Sequence, residues 1–495
     1  MAFDLDTYSQ RAERFVSELD REYHLHYSGQ KPDYRVERVY ERHAELFARD
    51  AVDRLREASG GRAGAGGERA RRARLLLELA FGGHLGMASA AEEAAIAERE
   101  AELEIELDGE RIGYRMAAVI QANEPDPERR QRLEAARLGL LEEYLNPLHL
   151  TALRRSHELV RELGWPSYAA ACTEVRGIDL EALAGQTARF VEDTDPVYER
   201  IMEPELERVL GIRLAAMRRS DLSRFFRAPG LDAAFPAERL IESFARTVAG
   251  MGLDLESQTN IVLDTEQRPT KTARAYCAPV RVPQEVYLVV PRVGGREDFA
   301  ALFHEGGHAE HYANVASELP PEYRYLGDNS VTESYAFLLE HLTEDPAWLR
   351  ELLGAEEGEV VSHARAVKLY FLRRYAAKIA YELELHGEQP DLDSMPGRYA
   401  ELLGEATRVE WTPQTWLDDV DSGFYVAGYL RAWALETRWR AHLRRRFGES
   451  WFAQPAAGDW LVGLWRQGQR LRADELVAET LGEELDFGVL AAEFA

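Results

Sequence analysis

Within Phe303-His304-Glu305-Gly306-Gly307-His308-Ala309-Glu310-His311, two histidines stand four positions apart with a glutamate directly after the first. Around them, Phe299, Leu302, Phe303, Ala309, Tyr312 and Ala313 recur at helical spacing, so residues 299–315 read as one helix. On a helix, positions i and i+4 lie one above the other, which lets His304 and His308 aim their rings at one point. That is half of a tetrahedral zinc site. Glu305, offset around the helix by one residue, is placed to reach a water on the metal and not the metal itself, as a general base must. The pattern is H-E-x-x-H.

A zinc site of this kind needs a third protein ligand, and residues 330–342 supply a second helical stretch with Phe337, Leu338 and Leu342 apolar at helical spacing. Asp328, Asn329 and Ser330 are its candidate start signals. Glu333 is the first carboxylate on it, 333 − 304 = 29 positions after His304. Ser330-x-x-Glu333 is also capping-box spacing, in which the glutamate bonds a backbone N–H instead of a metal. His311 and His341 read as structural or supporting groups, because two histidines, one glutamate and a water already fill four positions.

These features resemble the thimet oligopeptidase and oligoendopeptidase F family of zinc metallopeptidases. The resemblance is carried by H-E-x-G-H-x-x-H (His304, Glu305, Gly307, His308, His311) followed by E-x-x-x-x-x-x-E (Glu333, Glu340). Residues 271–277 and 285–291 with Asp298 are similar to the strand pair that leads into that family's metal helix, and Gly423-Phe424-Tyr425-Val426-Ala427-Gly428-Tyr429 is similar to its tyrosine-rich loop. The matches span roughly residues 265–435. The resemblance implies a mainly α, two-lobed metallopeptidase with a deep cleft and a small sheet beside the metal helix. It further implies one Zn²⁺ on His304, His308 and Glu333, with Glu305 as base. A tyrosine would donate to the oxyanion, Tyr425 first and Tyr429 second, and a phenol does this without adding charge. Core aromatics at helical spacing are the other reading of these two tyrosines. The chain departs from the family at Ala432, where a further tyrosine is usual, and at Asp418-Asp419-Val420-Asp421, which lacks the histidine expected there. Short peptides are the implied substrates. A thermostable-carboxypeptidase-like exopeptidase and a non-catalytic peptide-binding pseudopeptidase are the alternatives.

A chain of 495 residues exceeds one hydrophobic core, and two lobes are expected: 1–255, helical, and 256–495, holding the sheet and the metal helices. With 60 basic and 87 acidic residues the net charge is −27, a field that argues against nucleic acid or an anionic membrane surface as partner. Two cysteines, Cys172 and Cys277, give no disulfide framework. With no signal-peptide pattern at Met1-Ala2-Phe3-Asp4 and no long apolar run, the expected compartment is the cytoplasm, for a monomer or small homo-oligomer.

Outside the motifs, residues 69–107 read as long helices rich in Ala, Leu, Glu and Arg. The tract Ser59–Gly67 reads as a flexible loop, since it lacks the ending of a phosphate-binding loop. Pro196 is expected to separate a helix over 179–192 from another over 204–219. At Asn260 the pattern turns to β-branched residues, and a small sheet follows whose edge is either 272–278 or 285–291. An extended peptide can add to such an edge through backbone bonds.

Overall fold

The computed structural model describes residues 3–60, 67–355 and 358–495, so residues 61–66 of the glycine tract lie outside the described part. The chain is mainly α and forms two compact units. The first gathers Met1–Phe81, Leu231–Val361 and Gly428–Leu490, the second Gly82–Gly230, Ser362–Ala427 and Ala491–Ala495. No single cut near residue 255 separates them. The reason is visible in the N-terminal helix Leu5–Tyr27, whose Tyr23 ring stands edge-on at 5.2 Å from Tyr276 and so ties the first residues to the distant sheet.

That sheet has three strands in the order Ile261–Asp264, Glu285–Val289, Tyr276–Arg281. The middle strand pairs parallel with the first and antiparallel with the last. Residues 285–289 are therefore central, and Tyr276–Arg281 is the edge on the side of the metal motif.

The motif helix runs Arg296–Ala313 and the helix facing it Asn329–Glu340. Phe303 is buried between Phe244 and Trp348, with ring centroids 5.2 and 5.0 Å away. The two glycines inside the motif helix, which sacrifice helix propensity, are explained by proximity. A Cβ on Gly306 would collide with the Phe244 ring, and one on Gly307 would lie 2.6 Å from Ala336 Cα and 2.7 Å from the Tyr335 carbonyl oxygen. Helix propensity alone favours Gly307→Ala by about 1 kcal/mol. The contact reverses the sign: we expect the substitution to destabilise by about 1–3 kcal/mol, read as a lower melting temperature, because the facing backbone must move.

The facing helix starts at Asp328, whose side chain accepts from Ser330 N at 3.0 Å. Ser330 is thus inside the helix, and Glu333 is not the partner of a serine cap. Asp328 also accepts from Arg431 Nη1 at 2.5 Å and from Ala473 N at 2.9 Å. Burial would raise its carboxyl, but Arg431 and these hydrogen bonds hold it down at about 2, against 3.8 in the unfolded chain. A depressed folded pKa contributes stability above 3.8 that is lost as pH falls towards 2. The difference corresponds to about 2 kcal/mol. We expect Asp328→Ala to cost about 2–4 kcal/mol in chemical denaturation, since the Ser330 and Ala473 N–H groups and one side of the buried Arg431 guanidinium lose their acceptor while Asp474 keeps the other side at 2.6 Å.

In the second unit, Leu180–Leu210 is one helix through Pro196 and Pro204. The expected break does not occur because the turn weakened by Pro196 is held from outside. Arg373 donates to the Val191 carbonyl at 2.8 Å and pairs with Asp195 at 2.9 Å, while Thr194 Oγ1 donates to the Phe190 carbonyl. The helical reading of 69–107 also needs correction at its end: Glu104–Leu107 and Glu110–Gly113 form a hairpin. Asp108 and Gly109 turn it with φ of 54° and 84°, the positive values that Asp-Gly hairpin turns require. Ile105, Leu107 and Ile112 bury against Leu133. Among the described residues, no helix is long and apolar enough to cross a membrane.

Candidate metal centre

The close approach at Gly307 sets the spacing between the motif helix and the facing helix, and side chains from both converge. Glu333 Oε2 lies 3.4 Å from His304 Nε2 and 3.7 Å from His308 Nε2. The three donor atoms fall within 4.8 Å of one another. Ligand atoms about 2.0–2.1 Å from a tetrahedral zinc ion are separated from each other by about 3.3 Å, so the observed spacing fits such an ion with little movement. Glu333 is buried, and Asn329 Nδ2 donates to its other oxygen at 3.2 Å.

The outward nitrogens of both imidazoles are engaged. His304 Nδ1 meets Glu340 Oε2 at 2.8 Å, and His308 Nδ1 meets Thr332 Oγ1 at 2.8 Å. A partner on Nδ1 sets the tautomer and leaves Nε2 to face the centre. The electrostatics agree. Burial would lower His304, but the carboxylates of Glu333 and Glu340 reverse this and lift it well above its ordinary value. Burial would raise Glu333, and the two imidazoles hold it well below the carboxylate range instead. Positive charge is thus favoured between these atoms, whether carried by a proton or by a cation.

Glu305 stands outside this group of three. Its Oε2 accepts from the backbone N–H of Cys277, on the edge strand, at 2.8 Å. The carboxylate is held beside the centre by main chain and not by a second charge. Burial raises the Cys277 thiol well above its ordinary value, with the Glu305 charge adding to the effect, so it stays protonated.

His311 is fully buried and not among the three converging donors; its Nδ1 meets Thr332 Oγ1 at 3.1 Å, and burial lowers it to about 3. Tyr429 packs on Phe337 at 5.7 Å, and Phe337 stands 5.4 Å from the His304 ring. Tyr425 opens the helix Tyr425–Phe447, is 37% exposed and belongs to the second unit, whereas Tyr429 belongs to the first. Thr332, Arg431 and the Cys277 N–H carry no pattern that sequence reasoning could have used, because each acts through a partner remote in the chain.

No family model matches this chain, and no curated protein matches it. Solved structures do. The chain is similar to one described as PZ peptidase A with inhibitor 2, with a TM-score of 0.71 and 16% sequence identity over 98% of this chain and 90% of that one. At that identity the likeness establishes a shared fold, a helical one with a small sheet.

Proposed function

We propose that the protein is a zinc-dependent peptidase acting on short peptides, with His304, His308 and Glu333 as ligands and Glu305 as general base. The observation that carries the reading is the convergence of two Nε2 atoms and one carboxylate oxygen with a second carboxylate left free of them beside the site. That a peptidase shares the fold supports it. A Zn²⁺ ion held there would supply Lewis acidity, polarising a carbonyl and lowering the pKa of water towards neutrality.

The protein's own part follows from its residues. Glu305 takes a proton from the attacking water and passes it to the leaving amine. Cys277 N–H keeps its carboxylate oriented between these two tasks. A substrate backbone adds along Tyr276–Arg281, the sheet edge that also bears this N–H, so binding delivers the scissile carbonyl to the base. A tyrosine hydroxyl donates to the oxyanion, with Tyr425 the first choice and Tyr429 the second. Loss of that donor costs about 10²–10³ in kcat, so Tyr425→Phe and Tyr429→Phe, assayed side by side, identify the donor as the one variant of the two that falls this far. Neither cysteine is part of a disulfide, which supports a reducing compartment such as the cytoplasm.

The test is hydrolysis of an internally quenched fluorescent peptide before and after dialysis against a chelator. Activity should vanish with the metal and return with one equivalent of Zn²⁺. Turnover unaffected by complete metal removal would defeat the proposal. Peptides amidated at the carboxyl end should still be cleaved internally, as an endopeptidase requires and a carboxypeptidase does not allow.

A further inference from the structure

We propose that Thr332 and His311 form a directional hydrogen-bond relay that fixes His308 in the tautomer a divalent cation requires. The inference rests on the metal reading above and assigns two positioning residues to it. Thr332 directly precedes Glu333, so one turn of the facing helix presents both a ligand and the group that orients another ligand. A threonine hydroxyl has one proton to give and two lone pairs to receive. Two imidazole nitrogens meet it: His308 Nδ1 at 2.8 Å and His311 Nδ1 at 3.1 Å.

A chain of hydrogen bonds running one way satisfies both. His308 Nε2 faces Glu333 Oε2 at 3.7 Å and must offer a lone pair to a cation there, so its proton sits on Nδ1 and Thr332 accepts. The hydroxyl proton then goes to His311 Nδ1, so the neutral His311 ring carries its own proton on the buried Nε2. Thr332 is 2% exposed and His311 is fully buried, so water cannot replace a missing partner. The two ligand histidines are thereby oriented by different means. His304 has a carboxylate, Glu340, while His308 has a buried neutral chain through Thr332 to His311.

The experiment measures Zn²⁺ affinity of the apoprotein by competition with a chromophoric chelator, with circular dichroism as the check on folding. Thr332→Val, which keeps shape and removes the hydroxyl, should weaken zinc binding about 10- to 100-fold, as lost outer partners of zinc histidines do. Thr332→Ser should restore it. His311→Phe should weaken binding alone but add nothing in the Thr332→Val background, because a broken chain has no second link to lose. Affinity unchanged in Thr332→Val, or fully additive losses, would overturn the relay while leaving the metal site standing. Wild-type apoprotein that takes up no zinc would instead sink the metal reading itself. If Thr332→Val does not fold, His311→Phe decides: weaker zinc binding at an unchanged melting temperature supports the relay, and unchanged binding refutes it.

Discussion

Glu305→Gln should abolish peptide hydrolysis, by about 10²–10⁴-fold in kcat, while the zinc remains bound. The amide is the same shape as the carboxylate and still offers an oxygen to Cys277 N–H, now 2.8 Å from Glu305 Oε2, so the local structure has no reason to move. What disappears is the basicity. Glu305 is not one of the three converging donor atoms, so metal content measured by atomic emission should stay at one equivalent. Turnover equal to wild type would remove the base from the mechanism. Loss of zinc together with activity would instead make Glu305 a ligand.

The second large effect separates ligand from base in the opposite sense. Glu333→Gln keeps an oxygen for Asn329 Nδ2, 3.2 Å away, and preserves volume in a buried position, yet it replaces an anionic donor with a neutral one. Zinc affinity should fall by more than the roughly 100-fold that loss of an outer partner costs, and hydrolysis should fall with it. Excess Zn²⁺ should recover part of the activity of Glu333→Gln and none of that of Glu305→Gln. Recovery in neither variant, with full zinc in both, would argue that Glu333 serves the fold alone.

Local chemistry was legible in the chain. His304, Glu305 and His308 are related by the pitch of a single helix, and that pitch is the same wherever a helix forms. The hairpin at Asp108-Gly109 was equally legible, since Asp-Gly between alternating apolar residues is a turn signal; the helix-rich composition around it obscured this. Pro196 misled for a related reason. Its cost to a helix is a local quantity, but Arg373, 177 positions away by 373 − 196, meets it from another element.

The sequence alone determined the residue types of the site, the spacing of its two histidines and the mainly α class, because these depend on neighbours within one turn or on the period of apolar residues. Tertiary structure decided that Asp328 and not Ser330 caps the facing helix, that Glu333 turns to the imidazoles, that Tyr276–Arg281 is the sheet edge and that Thr332 sits between two histidines. The placement of Glu333 and Thr332 depends on how closely two helices approach where Gly307 leaves no Cβ in the way, and the sheet edge depends on which strands pair. Such distances are set by packing among residues far apart in the chain, and no local pattern encodes them.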